Sequence, residues 1–428
     1  MIFDFLDIYT TNLKKEGMIK MNCKNCLEKQ CSISKSRGNS IYPPQNAKEH
    51  DLREITSIFL ILTRDCNLSC KYCFVDKEQD NITYETAVDA VEFIAKNSFV
   101  HKDTPSLNYF GGEPTLRWDD IIVPLTKYIR AKYGDNFSLS MTSNGLLLDE
   151  EKLIFMKENN IGLLFSIDGD KKTQDLNRPT RGGSSSFDIL KDKIPLILKY
   201  FPNVTFRSTT DHDNVLEFFN NHKFAVENGF KSVFNIVNVF TNWNESEKDE
   251  LKKQINILGE YYAQIKLEKR NICFSPFDEM FSKLKRIEEA KNSNSFRTAG
   301  EGLLGFGRCG IGASKFASVG TDGTLYSCQE MVGNRQSGKF FIIGDIYNGV
   351  DNKARLEIIK KFDPKKVVCS SGSSKCKACK MNNICDGACL INNYFVSGDL
   401  NVMPSILCFY YQQLLEKAED IQRKYNIS

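Results

Sequence analysis

From residue 57 onward one unit recurs: a short apolar run followed by a longer amphipathic stretch. The runs are SIFLILT (57–63), SLNYF (106–110), SLSMT (138–142), GLLFSI (162–167), VTFRST (204–209) and SVFNIVNVF (232–240). Apolar runs of this length suit strands covered on both faces, which is the condition of a parallel sheet. The stretches between them have helical spacing. In TYETAVDAVEFIAKN (83–97), Ala87, Val91, Ile94 and Ala95 fall on one face. Six strand–helix units predict an α/β fold with a parallel sheet, closed or partly closed, whose chemistry collects at the C-terminal ends of the strands.

Unusual turns stand at those ends. CNLSCKYCF (66–74) begins three residues after the first strand, GGEP (111–114) follows the second, TSNG (142–145) ends the third and SIDG (166–169) ends the fourth. A glycine in such a place often serves only the turn. Four marked turns at the same end of successive strands instead form a constellation, as an active site built on strand ends would.

The bulk of the chain excludes several classes. With 428 residues it has length for two or three domains and a large core. A net charge of +3 gives no electrostatic case for nucleic-acid binding. The N-terminal MIFDFLDIYTTNLKKEG lacks the apolar core of a signal peptide. No run reaches the 18 or so apolar residues of a membrane span, so a cytoplasmic protein is expected. Its 15 cysteines are bunched in CxxxCxxC and CxxC spacings, which suit metal ligation better than a disulfide framework in a chain already long enough to build a core.

Cys66, Cys70 and Cys73 cannot close a tetrahedral site, and there is no histidine between residues 51 and 100 to complete a zinc centre. A [4Fe–4S] cluster with one iron open to another ligand fits better. CxxxCxxC with Tyr72 before the last cysteine, followed by GGEP, resembles the radical S-adenosylmethionine (SAM) superfamily. In that family the open iron chelates the amino and carboxylate groups of SAM, and its cleavage yields a 5′-deoxyadenosyl radical that abstracts hydrogen from substrate. The resemblance implies Tyr72 near the adenine and the backbone of Gly111, Gly112 and Glu113 at the SAM amino group. It also places Asn144 and Ser166 at the ribose or carboxylate. Arg207, on the fifth strand, would pair with the carboxylate, since a guanidinium offers bidentate geometry. A core-facing Tyr72 and an Arg207 held in a structural salt bridge are the plain alternatives.

Further along stand Cys309, then Gly323 and Cys328 as G-x4-C, then Cys376-x2-Cys379-x5-Cys385-x3-Cys389, then Cys408. This order is similar to the SPASM extension of radical SAM enzymes that modify peptides and proteins, which carries two auxiliary [4Fe–4S] clusters. By that analogy Cys376, Cys379, Cys385 and Cys408 ligate one, and Cys309, Cys328 and Cys389 the other. The family's further cysteine soon after the first is missing from CGIGASKF, so the second of these sites has an open iron or borrows Cys369 or Cys273. A zinc ribbon in CKACKMNNIC would leave Cys309, Cys328 and Cys408 without a role.

The expected fold is thus a partial (β/α)6 radical SAM barrel at 51–270, a linker at 271–300 and a small cysteine-rich SPASM domain at 301–428. An appendage at 1–50 precedes them. Its Cys23, Cys26 and Cys31 form either a small zinc or extra iron–sulfur site or three reduced thiols. The expected function is maturation of a ribosomally made, cysteine-containing precursor peptide through a thioether or other side-chain crosslink, with a flavodoxin or ferredoxin as reductant. The alternatives are a sulfatase-maturing, formylglycine-generating enzyme and a non-enzymatic electron carrier. Sulfatase maturases place an aspartate directly after the equivalent of Cys328, where this chain has Gln329, an amide that accepts no proton at neutral pH. Glu330 and Asp322 are the nearby base candidates, Glu330 the first choice.

Overall fold

The computed structural model describes residues 47–292, 315–333, 338–363, 366–382, 385 and 387–427. The appendage cysteines Cys23, Cys26 and Cys31, and Cys309 of the second set, lie outside the described residues.

All six apolar runs are strands: β1 (Ser57–Thr63), β2 (Ser106–Gly111), β3 (Ser138–Ser143), β4 (Ile161–Ser166), β5 (Thr205–Thr210) and β6 (Ser232–Val237). They lie side by side in chain order, and every neighbouring pair is parallel. β1 is buried along its whole length, as strands covered by helices on both faces must be. The run 232–240 pairs only as far as Val237. Beyond it Asn238 Nδ2 donates to Asp211 Oδ2 (2.8 Å), and the chain bends away.

Helix Tyr84–Val100 shows why the intervening stretches fold as they do. The Thr83 hydroxyl accepts the Thr86 N–H (3.1 Å), satisfying a donor the first turn leaves orphaned. The predicted face, Ala87, Val91, Ile94 and Ala95, is buried together with Ala90 and Ser98.

The sheet then outgrows six strands in both directions. β7 (Cys273–Phe274) adds beyond β6. On the other flank β8 (Phe316–Val319) pairs parallel to β1, and β9 (Thr324–Tyr326), β10 (Ile342–Asp345) and β11 (Gly349–Val350) follow antiparallel. Among the described residues the order is β11-β10-β9-β8-β1-β2-β3-β4-β5-β6-β7, with two edges, so the sheet stays open. The cysteine-rich C-terminal region therefore begins as a continuation of the barrel sheet. Thr56 and Ser57 N–H both donate to Lys315 O (2.9 and 3.0 Å), fixing that register.

The stretch 271–300, expected as a linker, contains helix Ser275–Asn292, with Phe277, Met280, Phe281 and Leu284 buried. Periodic apolar residues outweigh charge density in such a helix, because one stripe suffices for docking. The last helix, Ser405–Tyr425, lies against helix Glu245–Leu267. Lys417 there is nearly buried; its Nζ donates to Glu260 Oε1 (2.5 Å) and Asp420 Oδ2 (2.9 Å). Lys424 and Tyr425 also reach Glu260 Oε2 (2.9 and 2.6 Å). Hydrogen bonds from Lys417, Tyr425 and Lys424 hold the Glu260 carboxyl down to about 2. This clamp fixes the helix that carries Cys408. A two-stranded parallel sheet, β12 (Val368–Cys369) with β13 (Val402–Met403), sets the entry to that helix. Among the described residues no helix is long and apolar enough to cross a membrane.

Candidate active site

The loop after β1 has little regular structure and takes its backbone partners from residues 177–181. Ser69 N–H donates to Pro179 O (2.8 Å), Lys71 N–H to Asn177 O (3.0 Å), and Arg181 N–H to Asn67 O (2.9 Å). Leu68 and Thr180 pair as an antiparallel bridge, and Lys77 Nζ donates to Leu68 O (2.6 Å). This ribbon satisfies backbone groups that a bent loop would otherwise leave orphaned. On it Cys66 is buried, Cys70 half-buried and Cys73 exposed. Leu68 N–H (3.4 Å) and Asn144 Nδ2 (3.9 Å) both point at the Cys66 sulfur. Burial pushes the Cys66 thiol up to about 12 and raises Cys70 as well, so ligation here must displace protons.

Behind the loop sits a buried acid the sequence reading did not single out. Asp168, of SIDG, accepts from Asn177 Nδ2 (2.9 Å), Thr209 N–H (2.9 Å), Arg178 Nη2 (3.1 Å) and the Tyr72 hydroxyl. The Arg178 guanidinium also lies over the Tyr72 ring, 5.3 Å from its centroid, a cation–π geometry. Burial alone would lower Arg178, but Asp168, Tyr72 and Cys70 around it hold it above its ordinary value. Burial, opposed by Arg178 and reinforced by Asp168, pushes the Tyr72 phenol well up. Tyr72 is thus neither a loose aromatic nor a plain core residue: its hydroxyl anchors the cysteine loop to the end of β4. Arg178-Pro179 directly after a short helix was the visible signal, since the residue before a proline is disfavoured in the helical region, and Arg178 ends the helix at φ −128°, ψ 53°.

GGEP is built around close approach. A Cβ on Gly111, whose φ is +147°, would lie 2.3 Å from Thr63 O, and one on Gly112 would lie 2.1 Å from Asp65 O. The Gly112 and Glu113 N–H groups donate to those same carbonyls (2.8 and 2.9 Å). The Glu113 side chain is buried; Oε1 accepts from Thr115 Oγ1 (2.6 Å) and Ser143 Oγ (2.8 Å), Oε2 from Asn144 N–H (2.8 Å). Burial raises its pKa against those hydrogen bonds. Asn144 in turn donates from Nδ2 to Asn67 Oδ1 (2.8 Å), so Glu113 positions Asn144 and Asn144 positions the cysteine loop.

Ser166, the last residue of β4, is the register partner of Arg207 within β5. Arg207 Nη1 donates to Thr209 Oγ1 (2.7 Å). Burial and nearby Arg178 lower its pKa, and Tyr72, Asp168 and Glu330 oppose them. Glu330 and Arg207 thus act on each other electrostatically. The Glu330 Oε2 is buried without a hydrogen-bond partner among the described residues, and burial, opposed by Arg207, pushes the carboxyl up to about 7. Asp322 is spent on its own turn, accepting Thr324 N–H (3.0 Å) and Thr324 Oγ1 (2.9 Å). Gln329 is buried, and its Oε1 faces the Cys328 sulfur at 3.5 Å. Arg64, just after β1, ties this segment down with Nη2 donating to Asp76 O (2.9 Å) and Gly333 O (3.5 Å).

In the C-terminal set, Cys369 first, then burial, and then Cys385 and Cys376 push the Cys408 thiol up. Cys379 accepts from Gln412 Nε2 (3.6 Å), one turn beyond Cys408 on the same helix. Cys389 caps helix Leu390–Ser397. The Cys369 N–H donates to the Cys376 sulfur (3.1 Å), and its own sulfur contacts Ser371 Oγ (2.9 Å). Among the described residues no three Cys, His, Asp or Glu side chains converge as around a single metal ion. A four-iron cluster asks for wider spacing, because each cysteine binds its own iron. Three thiols on one loop, with two N–H donors aimed at one sulfur, are a donor set that fits such a cluster.

The description "Radical SAM superfamily" matches residues 60–255, from within β1 into helix Glu245–Leu267. The chain belongs to the radical SAM superfamily. This radical SAM chain is 22% identical to "Radical SAM cyclopropyl synthase TigE" of Paramaledivibacter caminithermalis, over 96% of this chain and 82% of that one. It is 23% identical to a "Cysteine-type anaerobic sulfatase-maturating enzyme" of Clostridium novyi, over 86% of this chain and 96% of that one. Among solved structures, native anSMEcpe with bound AdoMet and Cp18Cys peptide has a TM-score of 0.66 at 20% identity, over 86% of this chain and 98% of that one. That last likeness is one of fold. The chain is therefore a radical SAM enzyme similar in sequence to a sulfatase-maturating enzyme and to a cyclopropyl synthase.

Proposed function

We propose that the protein modifies a ribosomally made, cysteine-containing precursor peptide, forming a thioether or other side-chain crosslink. In this reading Cys66, Cys70 and Cys73 hold a [4Fe–4S] cluster at which SAM binds, and together these supply hydrogen-atom abstraction from the substrate. The chain's own residues place the partners. The N–H groups of Gly112 and Glu113 are already engaged by Thr63 and Asp65, so backbone carbonyls are what an incoming ammonium would meet. Arg207 spends one donor on Thr209 and retains others for a carboxylate. Ser166 is beside it in register. Tyr72, clamped between Asp168 and Arg178, keeps the loop and its aromatic face in one orientation, and Asn144 does the same from the β3 side. Glu330, with its buried and unpartnered Oε2 within electrostatic reach of Arg207, is the proton acceptor.

The observation that carries the choice of reaction is Gln329. The position directly after Cys328 is buried and holds an amide, where sulfatase maturases hold an aspartate. In keeping with the resemblance, Cys376, Cys379, Cys385 and Cys408 would hold one auxiliary cluster, and Cys309, Cys328 and Cys389 the other, within a SPASM region at 301–428. A flavodoxin or ferredoxin would supply electrons. Formylglycine formation is the second reading, supported by the sulfatase-maturating relative that this chain matches over 96% of its length. Radical SAM membership favours catalysis over plain electron carriage.

Mass spectrometry of a cysteine-containing peptide, incubated with reconstituted enzyme, SAM and reductant, separates the readings. Crosslinking removes two hydrogens and keeps every sulfur. Sulfur loss with an aldehyde-reactive product would instead establish the sulfatase-maturase reading. Glu330→Gln is expected to lower product formation by about 10²-fold or more, as loss of a general base does, while SAM cleavage without product continues.

A further inference from the structure

The ribbon that steadies the cysteine loop also sets which residue stands against it. Ser69 N–H donates to Pro179 O and Lys71 N–H to Asn177 O, and Leu68 bridges Thr180 antiparallel. In that register Cys70, between Ser69 and Lys71, lies opposite Arg178, between Asn177 and Pro179. The Arg178 N–H goes elsewhere, to Gln174 O (2.7 Å), and Cys70 O accepts from Cys73 N–H (3.3 Å). The two thus form the non-hydrogen-bonded kind of cross-strand pair, whose side chains share a face and stand close. Tyr72 is two residues along that face, and its ring centroid lies 5.3 Å from the Arg178 guanidinium, as the register requires. The Arg178 side chain is only 8% exposed, and a guanidinium keeps its charge even there. Nη2 donates to the fully buried Asp168 Oδ1 (3.1 Å), but Nε is buried without a partner among the described residues. Buried cations are normally paired and fully bonded, because removing them from water is costly. Here one donor is left over beside a cysteine.

We propose that Arg178 is a fixed positive charge that eases reduction of the cluster at Cys66, Cys70 and Cys73, and that Asp168 holds it in place while offsetting part of its field. The inference rests on the reading that those three cysteines hold that cluster. Reduction adds one negative charge beside thiolates that already carry it. A cation one cross-strand pair away therefore favours the reduced state, and more strongly in a buried, low-dielectric site than in water. The single electron comes from the flavodoxin- or ferredoxin-type donor; no proton moves and no bond to Arg178 forms or breaks. The spare Nε–H is a donor for a sulfur of the loaded site, and hydrogen bonds to sulfur also set such potentials. Thr209 N–H and Asn177 Nδ2 hold Asp168 (2.9 Å each), so the guanidinium is anchored from β5 and from the ribbon rather than by the cysteines.

An EPR-monitored redox titration of the anaerobically reconstituted full chain tests this without any turnover assay. It follows, in the absence of SAM, the signal that Cys66→Ala/Cys70→Ala/Cys73→Ala lacks. Arg178→Gln is expected to lower the reduced-to-oxidised ratio at a fixed potential about tenfold, a shift of about 59 mV. Asp168→Asn removes the opposing charge and is expected to move the ratio the other way, whereas mere loosening of the loop would move both variants alike. Tyr72→Phe breaks a hydrogen bond to Asp168 without changing any charge and is expected to stay within about twofold of the parent. Arg178→Lys keeps the charge and is expected to recover most of the loss. The inference is overturned, with the cluster site left standing, if Arg178→Gln titrates with the parent or shifts in the same direction as Asp168→Asn. A Tyr72→Phe shift as large as that of Arg178→Gln overturns it too. If the triple variant keeps every EPR signal and all its iron, the site reading fails and the inference with it. Should Arg178→Gln not load iron, Asp168→Asn decides: a ratio above the parent's supports the inference, and one at or below it overturns it.

Discussion

The two cysteine sites are assembled in opposite ways. Cys66, Cys70 and Cys73 come from one nine-residue loop at the end of β1, and the surrounding protein only steadies it. Cys369, Cys376, Cys385 and Cys408 come from a short strand, a short helix, a loop and the first turn of the last helix. β12 pairs with β13 beside them, and the Lys417–Glu260 pair ties the last helix to helix Glu245–Leu267. A local site is robust to what happens elsewhere in the chain. An assembled site depends on packing remote from its own ligands.

That contrast is open to direct attack. The largest effect is expected from Cys66→Ala/Cys70→Ala/Cys73→Ala, which should abolish SAM cleavage and remove about four irons while far-UV CD and the EPR of the cluster proposed at the C-terminal cysteines persist. If the second site's signal also vanished, the sites would not be independent. Next comes Asp168→Asn, which leaves the buried Arg178 guanidinium without its counter-charge. Breaking such a pair costs about 3–5 kcal/mol, read as a lowered urea midpoint of the cluster-free protein. Tyr72→Phe removes one hydrogen bond to Asp168 and should cost about 1–2 kcal/mol. An Asp168→Asn protein as stable as the parent would show that the loop is held by its ribbon alone.

His222, on helix Phe218–Glu227, provides a pH reference away from the cysteine loop. Its Nδ1–H donates to Phe218 O (2.6 Å), its Nε2 is buried without a partner among the described residues, and its ring lies between Phe218 and Phe274. Burial pushes its pKa down to about 4 from an ordinary 6.5. Between those values the unfolded chain binds the extra proton, so this residue's contribution to stability is complete above pH 6.5 and is lost as pH falls toward 4. From pH 7 to pH 5 the loss should be about 2 kcal/mol, and His222→Gln should flatten that part of the urea-midpoint profile. An unchanged slope would mean that the ring is hydrated. The smallest effect is expected from Glu260→Gln. This carboxylate is partly solvated, so weakening its pairs with Lys417 and Lys424 should cost no more than about 1 kcal/mol and leave the iron content unchanged. A loss of about four irons would show that the clamp, rather than strand pairing, brings Cys408 to its partners.

The two halves of the molecule also differ in how much could be read ahead. SIFLILT, SLNYF and the other runs were legible because strands buried on both faces must be apolar throughout, whatever their neighbours. CNLSCKYCF and GGEP were legible because their ligands and turns lie within a few residues of one another. Asp168 was quoted within SIDG but not singled out, since its importance comes from Arg178, Asn177 and Tyr72, which reach it from other segments. Helix Ser275–Asn292 was hidden by its charge, because a docking stripe of Phe277, Met280, Phe281 and Leu284 occupies only one side.

The sequence alone determined the strand–helix alternation, the strand ends as the seat of chemistry, and the three-thiol loop with one ligand position open. These follow from short-range rules, hydrophobic period and ligand spacing, that operate within about ten residues. The tertiary structure decided the rest. The C-terminal region continues the barrel sheet through β8, Glu330 comes within electrostatic reach of Arg207, Asp168 locks Tyr72, and β12 pairs with β13. Each of these joins residues far apart in the chain, and such contacts are set by strand order and helix packing, which local pattern does not encode.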